Sequence, residues 1–594
     1  MPLRGCSSSF SVREGTGGKM FSKLIGKVRI YTFFLTVLVC GACQLQLQPN
    51  LPQQRSKQGM AVSAHPLASA AGLAVLQQGG NAVDAAAATA LAISVVEPFS
   101  AGIGGGGFLL LRRAETGTVQ ALDFRERAPR RAARDMYLDK QGKVRQRASL
   151  DGHLAAGIPG TVAGLYTVHR EYGKLPWAQV VAPAIALAEN GFPVSSRFTT
   201  AARRRQDAIE KNPAAREVFT RGGILYQPGQ LLVQRDLALT LRQIAENPQS
   251  FYTGDIARAI AADMAKNGGI ITLEDLKNYT PIWRNPVCGN FRTYEICAMS
   301  PPSSGGVHLL QILNILGDTD LKRLGGQSPD TLHLLAESMR IAYADRAEYL
   351  GDPDFVRVPV KALTSSNYGK LRRSQITMSK ARPSGEVKAV DAETLSRFVW
   401  ESPETTHLTV VDKERNVVSL TFTVNGGFGA GVVAAGTGIL LNNEMDDFAA
   451  APGVPNLFGL VGGEANSIAP GKTPLSSMTP VIVTENGKFR LAAGAPGGST
   501  IITTVLQIVL NVLVYDMNVG DAVSAPRVHH QWQPDRLRVE RGGFEAATLS
   551  ELRRRGHLIV EGDGWGNANA IVLTADGWLE GAADRRGEGE ARGF

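Results

Sequence analysis

The chain has 594 residues, of which 44% are hydrophobic and 20% charged, a composition typical of a large globular protein and not of a disordered or fibrous one. Its formal net charge of +9 would suit a nucleic-acid-binding protein, but residues 1–58 carry eight lysines and arginines against one acid, which accounts for +7. The rest of the chain, at 9 − 7 = +2, is nearly neutral, so a basic binding face for nucleic acid is excluded.

The amino-terminal segment 1–43 has the pattern of an export signal. A basic stretch, 19–29, precedes the apolar run 30–42, which is too short to span a bilayer comfortably. The sequence LVCGAC, which ends at Cys43, is similar to a bacterial lipoprotein box, but Cys40 stands where leucine is usual. Lipidation of Cys43 and ordinary cleavage both remain open. We therefore expect an exported protein that is periplasmic or anchored to the outer membrane by a lipid.

A Gln/Pro-rich linker, 44–58, leads into two helices predicted within 64–98, the first ending at the paired glycines 79–80. The glycines of 102–107 match the GxGxxG pattern of dinucleotide sites, and Asp123 lies about twenty residues further on. In such sites a strand precedes the glycines and a helix follows, whereas here the order is reversed. The pattern therefore predicts a tightly packed glycine turn.

Beyond this turn, the predicted elements change character along the chain. Residues 150–280 are predicted to be mainly helical, and a second glycine turn opens a helix within 301–316. Residues 365–404 are polar and poorly patterned, as in a mobile or cleavable linker. Strands dominate from residue 405 onwards. Helices and strands in layers at this length predict an α/β or α+β sandwich.

Cys288 and Cys297 are the only cysteines after residue 43, and they flank a predicted hairpin. In an exported protein a disulfide across this hairpin is reasonable, but two buried thiols are an equally good interpretation. The spacing does not match a zinc site.

Two predicted strands, 406–412 and 417–424, flank the polar turn 413–416. This turn places Asp412 opposite Val417, with Thr405 near residue 424.

The hairpin thus collects Thr405, Thr423 and Asn425 at one end of a sheet, a frequent place for chemistry. A threonine hydroxyl is a poor nucleophile unless a base assists it, and an N-terminal threonine can use its own α-amine. An internal threonine reaches that state only if the preceding peptide bond is cut. The unpatterned approach to Thr405 suits such a cut.

Four short motifs identify a family: TTHLTVVD (405–412), LLNNEMDDF (440–448), PLSSMTP (474–480) and PGGS (496–499). Together with DFRE at 123–126 they closely resemble the γ-glutamyltransferases, or γ-glutamyltranspeptidases, from about residue 59 to the end of the chain.

The resemblance implies an α+β fold, the αββα four-layer sandwich of the N-terminal-nucleophile hydrolases. It also implies a precursor that cleaves itself between Glu404 and Thr405. The large subunit, 59–404, and the small subunit, 405–594, would form the sandwich jointly and stay together as a heterodimer.

The resemblance also implies the chemistry. Thr405 would attack the γ-glutamyl amide of glutathione and related γ-glutamyl compounds, and water or an amino acid or dipeptide acceptor would resolve the resulting ester. Thr423 matches the second threonine, which hydrogen-bonds the nucleophile. Neither a cofactor nor a metal is implied.

The glutamyl group of the substrate carries two charges, and the resemblance assigns residues to both. The α-carboxylate is expected to meet three donors: Arg125, Ser476 and Ser477. The α-ammonium is expected to meet three acceptors: Asn425, Glu444 and Asp447.

Gly497 and Gly498 precede a predicted helix, and their backbone N–H groups are expected to form the oxyanion hole. His407, His529 and His530 are interpreted as structural residues, because the α-amine of an N-terminal threonine already supplies the base.

Residues 452–466 are similar to a lid loop that covers the substrate in some family members. Many of those members have tyrosine where this chain has Phe458. The hydroxyl that could latch the lid to Asn425 is therefore absent, which should affect gating and the balance between hydrolysis and transfer.

Two other functions fit parts of the pattern. An acylase that removes glutaryl side chains from β-lactams would share the fold and the nucleophile but needs no ammonium pocket, so Glu444 and Asp447 argue against it. A non-catalytic exported protein that binds γ-glutamyl peptides would not need Thr405 and Thr423.

Overall fold

The computed structural model describes residues 53–387, 405–451 and 453–594. The strands are β1 (Gln54–Ser56), β2 (Met60–Ser63), β3 (Gly106–Arg112), β4 (Val119–Phe124), β5 (Phe192–Pro193), β6 (Thr220–Arg221), β7 (Ile224–Leu225), β8 (Leu231–Leu232), β9 (Ile282–Arg284), β10 (Val287–Phe291), β11 (Tyr294–Ala298), β12 (Thr406–Val411), β13 (Val417–Thr423), β14 (Val433–Ala434), β15 (Ile439–Leu440), β16 (Val481–Glu485), β17 (Lys488–Gly494), β18 (Val528–His529), β19 (Leu537–Glu540), β20 (Ile559–Gly562), β21 (Asn569–Leu573), β22 (Leu579–Ala583) and β23 (Glu590–Gly593).

The α-helices are α1 (Pro66–Gln77), α2 (Ala82–Val96), α3 (Thr161–Tyr172), α4 (Trp177–Asn190), α5 (Ser196–Arg204), α6 (Gln206–Lys211), α7 (Pro213–Phe219), α8 (Arg235–Glu246), α9 (Ser250–Thr253), α10 (Asp255–Lys266), α11 (Leu273–Lys277), α12 (Gly305–Leu316), α13 (Leu321–Leu324), α14 (Pro329–Tyr349), α15 (Val360–Leu363), α16 (Ser366–Ser374), α17 (Ile501–Leu513), α18 (Val519–Ser524) and α19 (Ala546–Arg554). Within the described ranges, every helix is too short or too polar to cross a bilayer.

Two seven-stranded antiparallel sheets form the centre of the molecule. Sheet I has the strand order β23-β2-β12-β13-β3-β4-β9, and sheet II has the order β1-β22-β21-β17-β16-β11-β10. Each sheet combines strands that precede residue 388 with strands that follow residue 404. The two parts of the chain therefore build one fold together.

The side chains of β3 show how the layers are stacked. Phe108 and Leu110 lie in the core that sheet I shares with sheet II and with helices α12, α14 and α17. Leu109 and Leu111 point the other way, into the core formed with α1, α2 and α4. Successive side chains of a strand point to opposite faces, so this apolar run is buried on both sides. The result is the predicted αββα four-layer sandwich.

The glycine turn before β3 is packed as predicted. A Cβ atom on Gly104 would lie 2.1 Å from the carbonyl oxygen of Leu440, and one on Gly105 would lie 1.9 Å from that of Thr423. Only glycine permits these backbone approaches. The turn thereby sets the position of the end of β13.

The β12–β13 hairpin differs from the prediction by one residue. Val411 pairs with Val417, and the backbone N–H of Asp412 donates to the carbonyl of Asn416. The loop therefore has three residues, ending with Arg415 at φ +71°, and not four. A residue in this left-handed conformation closes a three-residue hairpin. The shift places Thr405 opposite Thr423.

Two predicted linkers contain regular structure. Residues 54–56 of the predicted linker 44–58 form β1, which pairs with β22. Residues 366–374 of the unpatterned stretch form α16, and the Ser365 hydroxyl caps this helix by accepting from the N–H of Tyr368. In each case the polar sequence predicted no regular structure, but strand pairing or a helix cap stabilises a strand or a helix there.

Cys288 and Cys297 form a disulfide. They face each other in the antiparallel pair β10–β11, as the predicted hairpin required. The interpretation as two thiols is wrong.

Candidate active site

The end of the β12–β13 hairpin brings the two predicted threonines together. Thr405 precedes β12, and its Oγ1 lies 3.2 Å from Oγ1 of Thr423. The backbone N–H of Asn425 donates to Thr423 Oγ1 at 2.8 Å. Because that contact occupies a lone pair of Thr423, its hydroxyl proton can be directed at Thr405. Asn425 adopts φ +73°, and its side chain donates to the carbonyl of Asn443 at 3.0 Å.

Arg125 directly follows β4 and is only 1% exposed. Asp123 accepts the backbone N–H of Arg125 at 3.0 Å and fixes this corner of the chain. The guanidinium lies 2.5 Å from a carboxylate oxygen of Glu444 through Nη1 and 2.5 Å from one of Asp447 through Nη2. Its Nε donates to the carbonyl of Pro474. Each terminal nitrogen carries a second proton, so the guanidinium can keep both bridges and still bind a carboxylate.

Arg125 lies in a buried place among three carboxyl groups, those of Glu126, Glu444 and Asp447. Burial would lower the pKa of Arg125, but the carboxylates of Glu444, Asp447 and Glu126 outweigh it and raise that pKa. Burial raises the pKa of Glu444 well above its usual range, against the opposing effect of Arg125. Burial raises the pKa of Glu126 too. A ligand that brings one negative and one positive charge leaves the net charge of this buried site unchanged.

The two serines of the PLSSM motif are oriented as donors. Ser477 Oγ accepts from Nη2 of Arg346 at 3.2 Å, and Ser476 Oγ accepts from the backbone N–H of Met478 at 3.0 Å. A hydroxyl whose lone pair is engaged in this way still has its proton to donate. Both serines line the same cavity as Arg125, so both can donate to an α-carboxylate there.

Gly497 and Gly498 stand at the entrance to α17, with φ values of +135° and +52°. Within the described ranges, neither backbone N–H is used in a hydrogen bond. Glycine is favoured at such φ values, and unused N–H groups before a helix can stabilise a developing oxyanion.

The predicted lid loop packs directly on Gly498. Phe458 is buried, and a Cβ atom on Gly498 would lie 2.1 Å from Cδ1 of its ring. The loop is held by Asp447 of the predicted site and by the neighbouring Asp446: Asn456 Nδ2 donates to Asp447 at 3.0 Å, and the N–H of Leu457 donates to Asp446 at 2.8 Å. These bonds do not involve Asn425. The loop is therefore attached through Asp446 and Asp447, without the tyrosine hydroxyl that many family members have. Pro452, the first residue of the predicted loop, lies outside the described residues.

A single small cavity, which we call the glutamyl pocket, joins the predicted residues. Its lining includes both threonines, Gly498 and every residue predicted to bind the substrate, namely Arg125, Asn425, Glu444, Asp447, Ser476 and Ser477. Gly497 lines the neighbouring cavity instead. Glu404, on the other side of the predicted cleavage site, lies outside the described residues.

Comparison with known proteins identifies the family. The sequence model for γ-glutamyltranspeptidase matches residues 68–594. This chain belongs to the γ-glutamyltranspeptidase family. A relative from Escherichia coli (strain K12), named glutathione hydrolase proenzyme, is 48% identical over 534 residues, which cover 90% of this chain and 91% of the relative.

Solved structures agree with this assignment. The cephalosporin acylase from Bacillus halodurans superposes with a TM-score of 0.81 at 29% identity, over 93% of this chain and 98% of its own. The γ-glutamyltranspeptidase from Helicobacter pylori is 47% identical, with a TM-score of 0.56 over 57% of this chain and 97% of its own. The protein is therefore an enzyme with the N-terminal-nucleophile hydrolase fold, and the non-catalytic alternative is not supported.

Sequence reasoning missed two charged residues of this γ-glutamyltranspeptidase-family site. Arg346, on α14, is buried in the lining of the glutamyl pocket and also donates to Ser304 Oγ. Burial lowers the pKa of Arg346 to about 10. Glu126 follows Arg125 and is fully buried. Arg346 looked like an ordinary helix residue in the sequence. Glu126 stood inside the DFRE motif, which was the available signal.

The three histidines singled out in the sequence lie away from the pocket lining. His407 is fully buried, with its ring nitrogens 2.8 Å from Thr421 Oγ1 and 3.0 Å from Thr409 Oγ1. Burial lowers the pKa of His407 to about 3. His529 contacts Thr503, and His530 contacts Arg340. The geometry gives all three a structural role.

Elsewhere in the family fold, the described residues contain one cluster with the spacing of metal ligands: His333, Glu337 and His557. Glu337 is already paired with Arg340, so its negative charge is neutralised. We assign no metal to this cluster.

Proposed function

We propose that this protein is a self-cleaving γ-glutamyltransferase with glutathione hydrolase activity, in which Thr405 is the nucleophile. The observation that carries the proposal is the buried pairing of Arg125 with Glu444 and Asp447 in the cavity that also contains Thr405. This arrangement is complementary to the paired α-carboxylate and α-ammonium of a γ-glutamyl group.

Cleavage between Glu404 and Thr405 gives Thr405 a free α-amine, which takes the proton from Oγ1 as the oxygen attacks the γ-carbonyl carbon. The N–H groups of Gly497 and Gly498 stabilise the oxyanion, and Thr423 donates a hydrogen bond to Oγ1. The C–N bond then breaks, the proton passes to the leaving amine, and a γ-glutamyl ester remains on Thr405.

The ester is resolved when water or the amine of an amino acid or dipeptide attacks its carbonyl carbon. Attack by water releases glutamate, and attack by an amine forms a new γ-glutamyl amide. In both cases the Oγ1–carbonyl bond breaks and Oγ1 recovers its proton. The large and small subunits remain a heterodimer, because each sheet contains strands from both.

We also propose that the enzyme is exported, with its amino terminus either cleaved or lipidated at Cys43. The support is the basic segment and the short apolar run within residues 1–43. Fractionation of producing cells, with and without Cys43→Ala, tests this. A membrane-bound fraction that persists in the variant would contradict lipidation.

The second candidate is a β-lactam acylase, since a cephalosporin acylase superposes on this chain. A glutaryl chain has no α-ammonium, so it would leave Glu444 and Asp447 against uncharged methylene groups at a desolvation cost.

The proposal is tested in two steps. Mass spectrometry of the purified protein should find two chains, the smaller starting at Thr405. Hydrolysis of γ-glutamyl and glutaryl p-nitroanilides should then differ, with the γ-glutamyl compound strongly preferred. A single intact chain, or preference for the glutaryl compound, would refute the proposal.

A further inference from the structure

A second, much larger cavity adjoins the glutamyl pocket at Gly497 and Gly498, and apart from Gly497 its lining residues take no part in the steps above. We call it the arginine groove. Four arginines line it, Arg197, Arg204, Arg538 and Arg586, against two acids, Asp563 and Glu588. Its volume is about 660 Å³, whereas that of the glutamyl pocket is about 20 Å³.

The groove and the glutamyl pocket lie on opposite sides of Thr405. Along sheet I, Arg125 follows β4 on one side of the β12–β13 hairpin, and β2 and β23 lie on the other side. Glu588, in the groove lining, comes just before β23. Gly497 lines the groove and Gly498 lines the pocket. The proposed oxyanion hole is therefore the boundary between the two cavities.

A short chain of contacts connects the groove to the nucleophile. Arg197 lies 4.0 Å from Oε1 of Glu97, and Oε2 of Glu97 lies 3.1 Å from the hydroxyl of Thr406. Thr406 is the residue after the nucleophile. Arg197 is therefore connected, through Glu97, to the residue that directly follows Thr405.

This placement restricts where the two halves of a substrate can lie. If the glutamyl half lies against Arg125, Glu444 and Asp447 with its carbonyl carbon at Thr405, the adjoining space beyond Gly497 is the groove, and the amine half can extend into it. In glutathione the amine half is a dipeptide that ends in a carboxylate.

The arginines of the groove are not equally available to such a carboxylate. Arg586 is already bound by Glu540 and Asp584, and Arg538 stacks on Trp565. Arg204 is exposed and, within the described ranges, has no acidic partner. Arg197 is partly exposed, and its ion pair with Glu97 is at the outer limit of contact.

We propose that the arginine groove binds the part of the substrate beyond the scissile amide and recognises its terminal carboxylate through Arg204 and Arg197. The same groove receives acceptor amino acids and dipeptides, because their amines must approach the ester from the side the leaving amine vacates. This inference rests on the proposed function, since it assumes a γ-glutamyl group in the small pocket.

The test compares glutathione with its C-terminal amide, which has the same shape but lacks the terminal charge. The variants are Arg204→Gln and Arg197→Gln, and the matched control is Arg203→Gln. Arg203 is the exposed neighbour of Arg204 on α5 and does not line the groove. Self-cleavage is checked by intact mass for each variant, so that only mature enzyme is compared.

We expect the ratio of kcat/KM for glutathione to kcat/KM for the amide to fall about tenfold in Arg204→Gln, the usual effect of losing one charge-assisted hydrogen bond. Arg197→Gln should change the ratio in the same direction, and Arg203→Gln should leave it unchanged. An unchanged ratio in both groove variants, with both substrates hydrolysed by the parent, overturns the groove assignment alone. A parent enzyme that hydrolyses neither substrate overturns the proposed function as well.

Discussion

Replacing Thr423 by valine tests the arrangement of the nucleophile most directly. Valine has nearly the shape of threonine, so the end of β13 should keep its packing while one hydroxyl is removed. Among the described residues, this change removes the 3.2 Å contact with Thr405 Oγ1 and the acceptor for the backbone N–H of Asn425.

The two losses have different sizes and different consequences. The N–H of Asn425 becomes a buried donor without a partner, which should lower the free energy of unfolding by about 1–3 kcal/mol. The bond to Thr405 strengthens as Oγ1 acquires negative charge during attack, and a charge-assisted hydrogen bond contributes about 1.5–3 kcal/mol. Its loss should lower kcat roughly 10- to 150-fold.

The assay is hydrolysis of γ-glutamyl-p-nitroanilide by the mature fraction, quantified by intact mass. Thr423→Ser is the matched control, because it keeps the hydroxyl and loses only a methyl group. Self-cleavage should also slow in Thr423→Val, since the same hydroxyl contacts Thr405 in the precursor. If kcat of Thr423→Val lies within about threefold of that of Thr423→Ser, the hydroxyl does not assist the nucleophile and the reasoning fails.

Three further substitutions test other parts of the site. Thr405→Ala should yield one uncleaved chain without γ-glutamyl-p-nitroanilide hydrolysis, and two chains on a denaturing gel would contradict the assigned nucleophile. Gly498→Ala places a Cβ atom 2.1 Å from the ring of Phe458 at φ +52°, so activity should fall by at least about tenfold. The double variant Gly498→Ala, Phe458→Ala should recover part of the lost activity. Full activity of the single variant would refute the described position of the predicted lid loop. Burial raises the pKa of Asp446 from 3.8 to about 7, so the folded protein binds this proton more tightly than the unfolded chain does. The free energy of unfolding should therefore fall as pH rises from about 4 to about 7. Asp446→Asn should flatten that decline in Tm, and an equally steep decline in the variant would show that another group causes it.

Much of the fold followed from local pattern. The apolar run of β3, the glycines before it and the capped helices α1 and α2 could be predicted because each depends on nearby residues. The hairpin prediction was wrong by one residue, because the sequence does not reveal that Arg415 takes a positive φ and closes a three-residue loop.

The candidate site was predictable to a similar degree. The hairpin alone brought Thr405, Thr423 and Asn425 to one sheet end, and the family resemblance added the substrate-binding residues. Arg346 was missed because it meets Ser477 across 131 residues of sequence, and no local signal distinguishes a buried helix arginine from a solvated one.

The sequence by itself determined the order of elements, the nucleophile candidate and the charged residues expected around a γ-glutamyl group. Tertiary structure alone decided that Cys288 and Cys297 are bonded, that the predicted lid loop attaches through Asp446 and Asp447, and that an arginine groove lies across Gly497 from the pocket. The physical reason is distance along the chain. Arg125 and Asp447 are 322 residues apart, and only the packing of the turn 444–447 against the end of β4 brings them into contact.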